Sequence, residues 1–135
     1  MDLLLLKNKT SGRDAVMFDI DDTLIRYSNG TRIEFCYELL NYARAIGYII
    51  VIVTARPSGG MEYTKRELAF HNIHYDRLFF CRPTMKGQLK RNTGLNYVLS
   101  VGDLLTDLTD SKYALKITPS DLAEEIRLLD NNSPF

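Results

Sequence analysis

Short apolar runs alternate along this chain with stretches whose apolar residues recur every third or fourth position. Residues 15–18 (Ala-Val-Met-Phe) form the first run and stop at Asp19. Tyr48 to Val53 reads Tyr-Ile-Ile-Val-Ile-Val, a β-branched run typical of a strand covered on both faces. Leu78 to Cys81, Tyr97 to Val101 and Ala114 to Ile117 read as three further strands. Between the runs, Ile33 to Ile46 has helical spacing, with Ile33, Tyr37, Leu40 and Arg44 on successive turns and Gly47 as the stop. Helices are also expected from Met61 to His71, from Lys86 to Arg91 and, after the Pro119-Ser120 start signal, from Ser120 to Leu129. No repeat, linker or low-complexity segment interrupts the series. The expectation is one α/β domain over residues 1–135, Rossmann-like and three-layered, with a parallel sheet of about five strands and helices on both faces. Residues 1–13 would be an N-terminal extension and residues 131–135 a loose tail.

Parallel sheets of this kind bind ligands beyond the carboxyl ends of their strands. The polar residues of the chain collect at those ends. The first strand releases Asp19 and Asp21, spaced i and i+2. The second ends at Thr54-Ala55-Arg56-Pro57, and the fourth at Gly102-Asp103, with Asp107 a helical turn beyond. Lys86-Gly87 opens the helix that feeds the fourth strand. Carboxylates gathered at a strand end repel one another and lose hydration, so a metal or a basic group has to compensate. A nucleophilic carboxylate, a second acid, a hydroxyl, a lysine and a further acidic pair are the set that phosphoryl transfer requires.

Asp19-x-Asp21-x-Thr23, Thr54, Lys86 and Gly102-Asp103-x-x-x-Asp107 resemble the four motifs of the haloacid dehalogenase superfamily of phosphohydrolases. The resemblance runs from about Val16 to Asp107. It implies that Asp19 is the nucleophile that becomes a phosphoaspartate, and also a metal ligand. Asp21 would protonate the leaving group, then activate water, and would reach the metal through its backbone carbonyl. Thr54 would bind a phosphate oxygen, and Lys86 would pair with Asp19 and the phosphate. Asp103 would bind magnesium directly, and Asp107 would do so through water or would position Lys86. Members that cleave carbon–halogen bonds lack the second acid, so Asp21 favours phosphate chemistry.

Several residues admit two readings. Lys90 competes with Lys86 as the phosphate lysine, or forms a solvated face with Arg91. Arg56 is either a phosphate or substrate anchor at the mouth or the partner of a carboxylate, and Arg82 is a weaker case of the same kind. Asp107 can also cap. Asp22 reads as a turn residue, Asp110 as surface, and His71 and His74 as structural. Met61, Tyr63, Leu68 and Phe70 read as packing residues.

Members of the superfamily often carry a cap domain after the first motif or between the second and third. Here Arg26 to Arg32 leaves room only for a small flap around Ser28-Asn29-Gly30, and residues 57–82 hold one helix and one strand. The implied site is open, suited to a phosphorylated small molecule or nucleotide, a nucleic-acid end or a phosphoprotein, or to a homo-oligomer whose neighbour supplies a lid. A phospho-receiver domain has similar parts, but its phospho-accepting aspartate follows the third strand, where this chain has none.

Composition removes some partners. Lys and Arg total 17, as do Asp and Glu, so no global basic field attracts nucleic acid or an anionic membrane. Leu3 to Leu6 is too short to span a bilayer and follows Asp2 rather than a basic cluster. It reads as an edge strand or docking segment. With only Cys36 and Cys81, and no sign of export, a reduced, cytoplasmic protein is expected.

Overall fold

The computed structural model describes residues 12–118. The Leu3–Leu6 segment, the closing helix expected over residues 120–129 and the tail lie outside that range. Within it, five strands form one sheet: β1 (Asp14–Phe18), β2 (Ile49–Thr54), β3 (Arg77–Phe80), β4 (Asn96–Gly102) and β5 (Tyr113–Lys116). Three helices connect them: α1 (Glu34–Ala45), α2 (Met61–Phe70) and α3 (Lys86–Thr93). Each element lies within one or two residues of its expected bounds, the ordinary scatter of element ends.

All neighbouring strands pair in parallel, in the order β3-β2-β1-β4-β5. The chain winds outward from β1 through β2 to β3, then returns to place β4 on the other side of β1. Ligands in open α/β sheets sit where the winding reverses, here between β1 and β4. The order also differs from the flavodoxin-like 2-1-3-4-5 of receiver domains.

The apolar runs lack a polar face because both sides of the sheet are covered. Val16 and Phe18 pack with Leu40 of α1 and Leu68 of α2, whereas Ala15 and Met17 pack with Val51, Val53 and Leu89 of α3. Gly47 ends α1 with φ +104° and Gly94 ends α3 with φ +70°, backbone that glycine adopts without penalty. Cys36 and Cys81 are not joined in a disulfide. No helix among the described residues is long and apolar enough to cross a membrane.

After β1 the chain coils tightly. The N–H groups of Thr23, Leu24 and Ile25 all point back to the Ile20 carbonyl, at 2.9–3.1 Å. Asp22 takes φ +58°, and its carboxylate accepts the Tyr27 N–H at 3.0 Å, so it acts as the expected turn residue. Residues 25–32 then form a small hairpin, with an antiparallel bridge between Ile25 and Arg32 and the Arg26 N–H donating to the Thr31 carbonyl. This is the short flap that the sequence leaves room for.

Of the four residues read as packing, only Leu68 is buried. Tyr63 and Phe70 are largely exposed and Met61 partly so. The stripe that α2 buries consists of Thr64 and Leu68 alone.

Candidate active site

Parallel register brings the ends of β1 and β4 together. The ladder continues one residue past β1, where the Asp19 N–H donates to the Val101 carbonyl at 3.0 Å. Asp19 is thereby held at the mouth of the sheet beside Gly102 and Asp103. A 3-10 turn, Leu105–Asp107, folds Asp107 back under this mouth, where it is wholly buried. The Leu104 N–H caps that turn by donating to Asp107 Oδ2 at 3.1 Å.

Lys86, at the first turn of α3, reaches into the same place. Its ammonium donates to Asp19 Oδ1 at 3.0 Å and to Asp107 Oδ1 at 2.5 Å, and its side chain is buried. Burial pushes the Asp19 carboxyl well above its usual range, with the Lys86 charge opposing and Asp107 reinforcing. Asp103 is raised as well, chiefly by burial. For Lys86, burial works against the charged form, but the two facing carboxylates outweigh it and the amine is raised. The site holds more negative charge than one ammonium neutralises.

Asp19, Asp103 and Asp107 each offer a carboxylate oxygen within 4.8 Å of the others. An all-oxygen, anionic donor set of this size fits a hard divalent cation such as magnesium. Thr54, buried at the end of β2, accepts the Arg56 N–H on its hydroxyl at 3.1 Å.

Asp21 lies outside the carboxylate cluster and half-exposed. Arg56 grips it in a fork, with Nε to Oδ2 at 3.1 Å and Nη2 to Oδ1 at 2.7 Å. The remaining nitrogen of Arg56 reaches Glu67 Oε1 at 2.7 Å and the Thr64 hydroxyl at 3.4 Å. Burial alone lowers the Arg56 guanidinium, but the bonds to Asp21 and Glu67 raise it above its ordinary value. Of the two readings of Arg56, the structure displays the partner of a carboxylate; a phosphate anchor would have to release those ion pairs. Glu67 is a member of the site that the sequence reading missed. Its signal is a stripe that starts at Gly60, the N-cap of α2, and continues through Thr64 and Glu67 at helical spacing.

The two candidate lysines separate cleanly. Lys86 meets the carboxylates, whereas the Lys90 amine donates to the Asp107 carbonyl at 2.9 Å, the Ser100 hydroxyl at 3.1 Å and the Thr109 carbonyl. Lys90 is fully buried rather than part of a solvated face, and burial lowers its pKa to about 8. It ties residues 107–109 to α3. Arg91 alone faces solvent, paired with Asp110 at 2.8 Å. Arg82 is exposed at the end of β3, and His74 bonds the Asn72 side chain.

The glycines of the third and fourth motifs have a steric reason. A Cβ at Gly102 would overlap the Asp107 side chain, and one at Gly87 would strike Thr109 and Asp110. The Gly102→Ala variant is expected to lose about 1–3 kcal/mol of stability, the usual cost of overpacking, and to displace Asp107 from Lys86. Urea denaturation measures this. A variant within about 0.5 kcal/mol of wild type would mean the 105–107 turn yields freely.

Comparison with known proteins follows the fold. The sequence matches no protein-family profile and no curated protein. Among solved structures, the chain is similar to one in a Pnkp1/Rnl/Hen1 complex, with a TM-score of 0.69 and 18% identity over 82% of this chain and 47% of that one. It therefore spans about half the length of that chain. It is also similar to the class C acid phosphatase of Bacillus anthracis, with a TM-score of 0.63 and 14% identity over 93% of this chain and 81% of the other. The tungstate-bound form of that phosphatase gives a TM-score of 0.60. At these identities the likeness is one of fold.

Proposed function

We propose that this chain is a magnesium-dependent phosphomonoesterase of the haloacid dehalogenase type. The observation that carries the reading is the buried Asp19–Lys86–Asp107 arrangement beside Asp103, at the point where the sheet reverses its winding. Structural cores do not collect two carboxylates on one lysine, with a third beside them, without cost, and such clusters concentrate at functional sites.

Asp19 attacks phosphorus, and the bond from phosphorus to the leaving oxygen breaks. Asp21, on leaving the Arg56 fork in its protonated form, gives that oxygen its proton. The carboxylate of Asp21 then takes a proton from water, which attacks phosphorus, releases inorganic phosphate and frees Asp19. Lys86 holds a phosphate oxygen and offsets charge as it shifts from Asp19 to the phosphate, and the Thr54 hydroxyl donates to a second oxygen. Asp19, Asp103 and Asp107, with the Asp21 carbonyl, would hold magnesium. When bound, the ion neutralises the repulsion between an anionic nucleophile and an anionic substrate.

The likeness in fold to an acid phosphatase supports phosphoester hydrolysis over the receiver alternative, as does the strand order. The test is hydrolysis of an aryl phosphate in millimolar magnesium and then in EDTA. Chelation is expected to lower the rate at least about a hundredfold. A rate indifferent to EDTA would remove the metal from the scheme.

A further inference from the structure

Beside the carboxylate cluster opens a cleft of about 690 Å³. Asp21 and Arg56 belong to its lining, which continues along the hairpin from Ile25 to Gly30 and over the first turns of α2. The proposed chemistry uses Asp21 and no other part of this space. Since Asp21 is the proton donor to the leaving oxygen, a cleft that begins at Asp21 is where the leaving group has to lie.

Three properties narrow what that group is. The first is size: the volume falls in the range of about 300–1,000 Å³ that holds a drug-sized ligand, far more than glycerol or a single small side chain fills. The second is charge. Both cations of the lining are already bound to protein oxygens, Arg56 to Asp21 and Glu67, Arg26 to the Thr31 hydroxyl and the Arg32 carbonyl. The cleft therefore suits an uncharged part of the leaving group, a nucleoside rather than a second phosphate, and any further phosphates of that group lie outside it.

The third is aromatic surface. The hairpin contributes Tyr27 and α2 contributes Tyr63, which are 79% and 66% exposed. Neither ring helps to hold the fold. An aromatic side chain left in water at the edge of a cleft is a stacking surface, and every nucleobase has a π-face. The Ser28 hydroxyl and the Asn29 amide nitrogen, in the same lining, add hydrogen-bonding groups for the edge of a planar ring, the Asn29 oxygen being held by Thr31.

Resting on the phosphomonoesterase reading, we infer that this cleft is a leaving-group site for a nucleoside, with the base stacked on Tyr27 and Tyr63. The substrate is then a nucleoside carrying a terminal phosphate monoester, either a free mononucleotide or the phosphorylated end of a nucleic acid.

The experiment compares 3′- and 5′-mononucleotides, 3′- and 5′-phosphorylated oligonucleotides, a phosphotyrosine peptide and glycerol phosphate. Wild type is set beside the Tyr27→Ala/Tyr63→Ala double variant and the corresponding Phe variant, and nucleoside binding is followed by equilibrium dialysis. Stacking predicts that kcat/KM for nucleoside substrates exceeds that for glycerol phosphate by about ten- to a hundredfold, that the preference collapses to about threefold in the Ala variant through KM, and that Phe retains it. The mononucleotide and oligonucleotide arms identify the source, and success in either supports the site. Asp19-dependent hydrolysis with no preference for nucleosides, or with preference for the peptide, overturns the site and leaves the phosphatase reading intact. Hydrolysis of none of them overturns the phosphatase reading; the cleft then stands only if the nucleoside binds and the Ala variant loses it, and falls if it does not bind.

Discussion

The Asp19→Asn variant is expected to fold and to lose turnover by at least about 10⁴-fold, as enzymes do when a covalent nucleophile is removed. An amide has the shape of the carboxylate but no anionic oxygen to attack phosphorus, so the covalent route closes. The surroundings tolerate the change. Asp19 is a buried acid whose ionised form is disfavoured by burial and by Asp107, so a neutral side chain relieves repulsion while Lys86 keeps its second partner. Stability should move far less than activity. Steady-state hydrolysis beside a urea melt makes the comparison, and a rate above about 1% of wild type in a folded variant would rule out the covalent intermediate.

The sequence made this residue legible because of where it stands. A run without a polar face announces a strand covered on both sides, and the carboxylates that end it must be at the carboxyl edge of a parallel sheet. The same logic placed Thr54 and Asp103 at strand ends, where the structure has them. It could not order the strands, because β4 lies beside β1 only through long-range pairing. Nor could it see Lys90 as buried. Locally, Lys90-Arg91 reads as a solvated pair, and it is the return of residues 107–111 across α3, together with Ser100 of β4, that supplies the carbonyls and hydroxyls that take the amine out of water. Tyr63 and Phe70 mislead for the opposite reason. They count as apolar in any periodicity, yet nothing outside α2 among the described residues covers them enough to bury either. Glu67 was obscured because its partner, Arg56, stands on a loop whose direction no local pattern gives.

Replacing Lys86 by Met is expected to remove both activity and stability, and the two losses should respond differently to magnesium. The ammonium is the cation between Asp19 and Asp107, buried with them. Without it, the cluster of Asp19, Asp103 and Asp107 loses the cation that pairs with it among the described residues, and breaking a buried pair by removing one partner costs about 3–5 kcal/mol. In EDTA the variant should therefore unfold at markedly lower urea than wild type. Millimolar magnesium, drawn to the unbalanced carboxylates, should restore a large part of the difference, because an ion that binds only the folded state stabilises it by mass action. Hydrolysis should stay low even then, by about 10²–10³-fold, since the ion cannot replace a donor aimed at the transferring phosphate. Lys90→Met is the control that isolates the charge. Lys90 bonds carbonyls and hydroxyls rather than carboxylates, so its loss should destabilise the fold to the same degree with or without magnesium. Equal magnesium responses in the two variants would show that Lys86 is a structural lysine and that the carboxylates do not bind the ion.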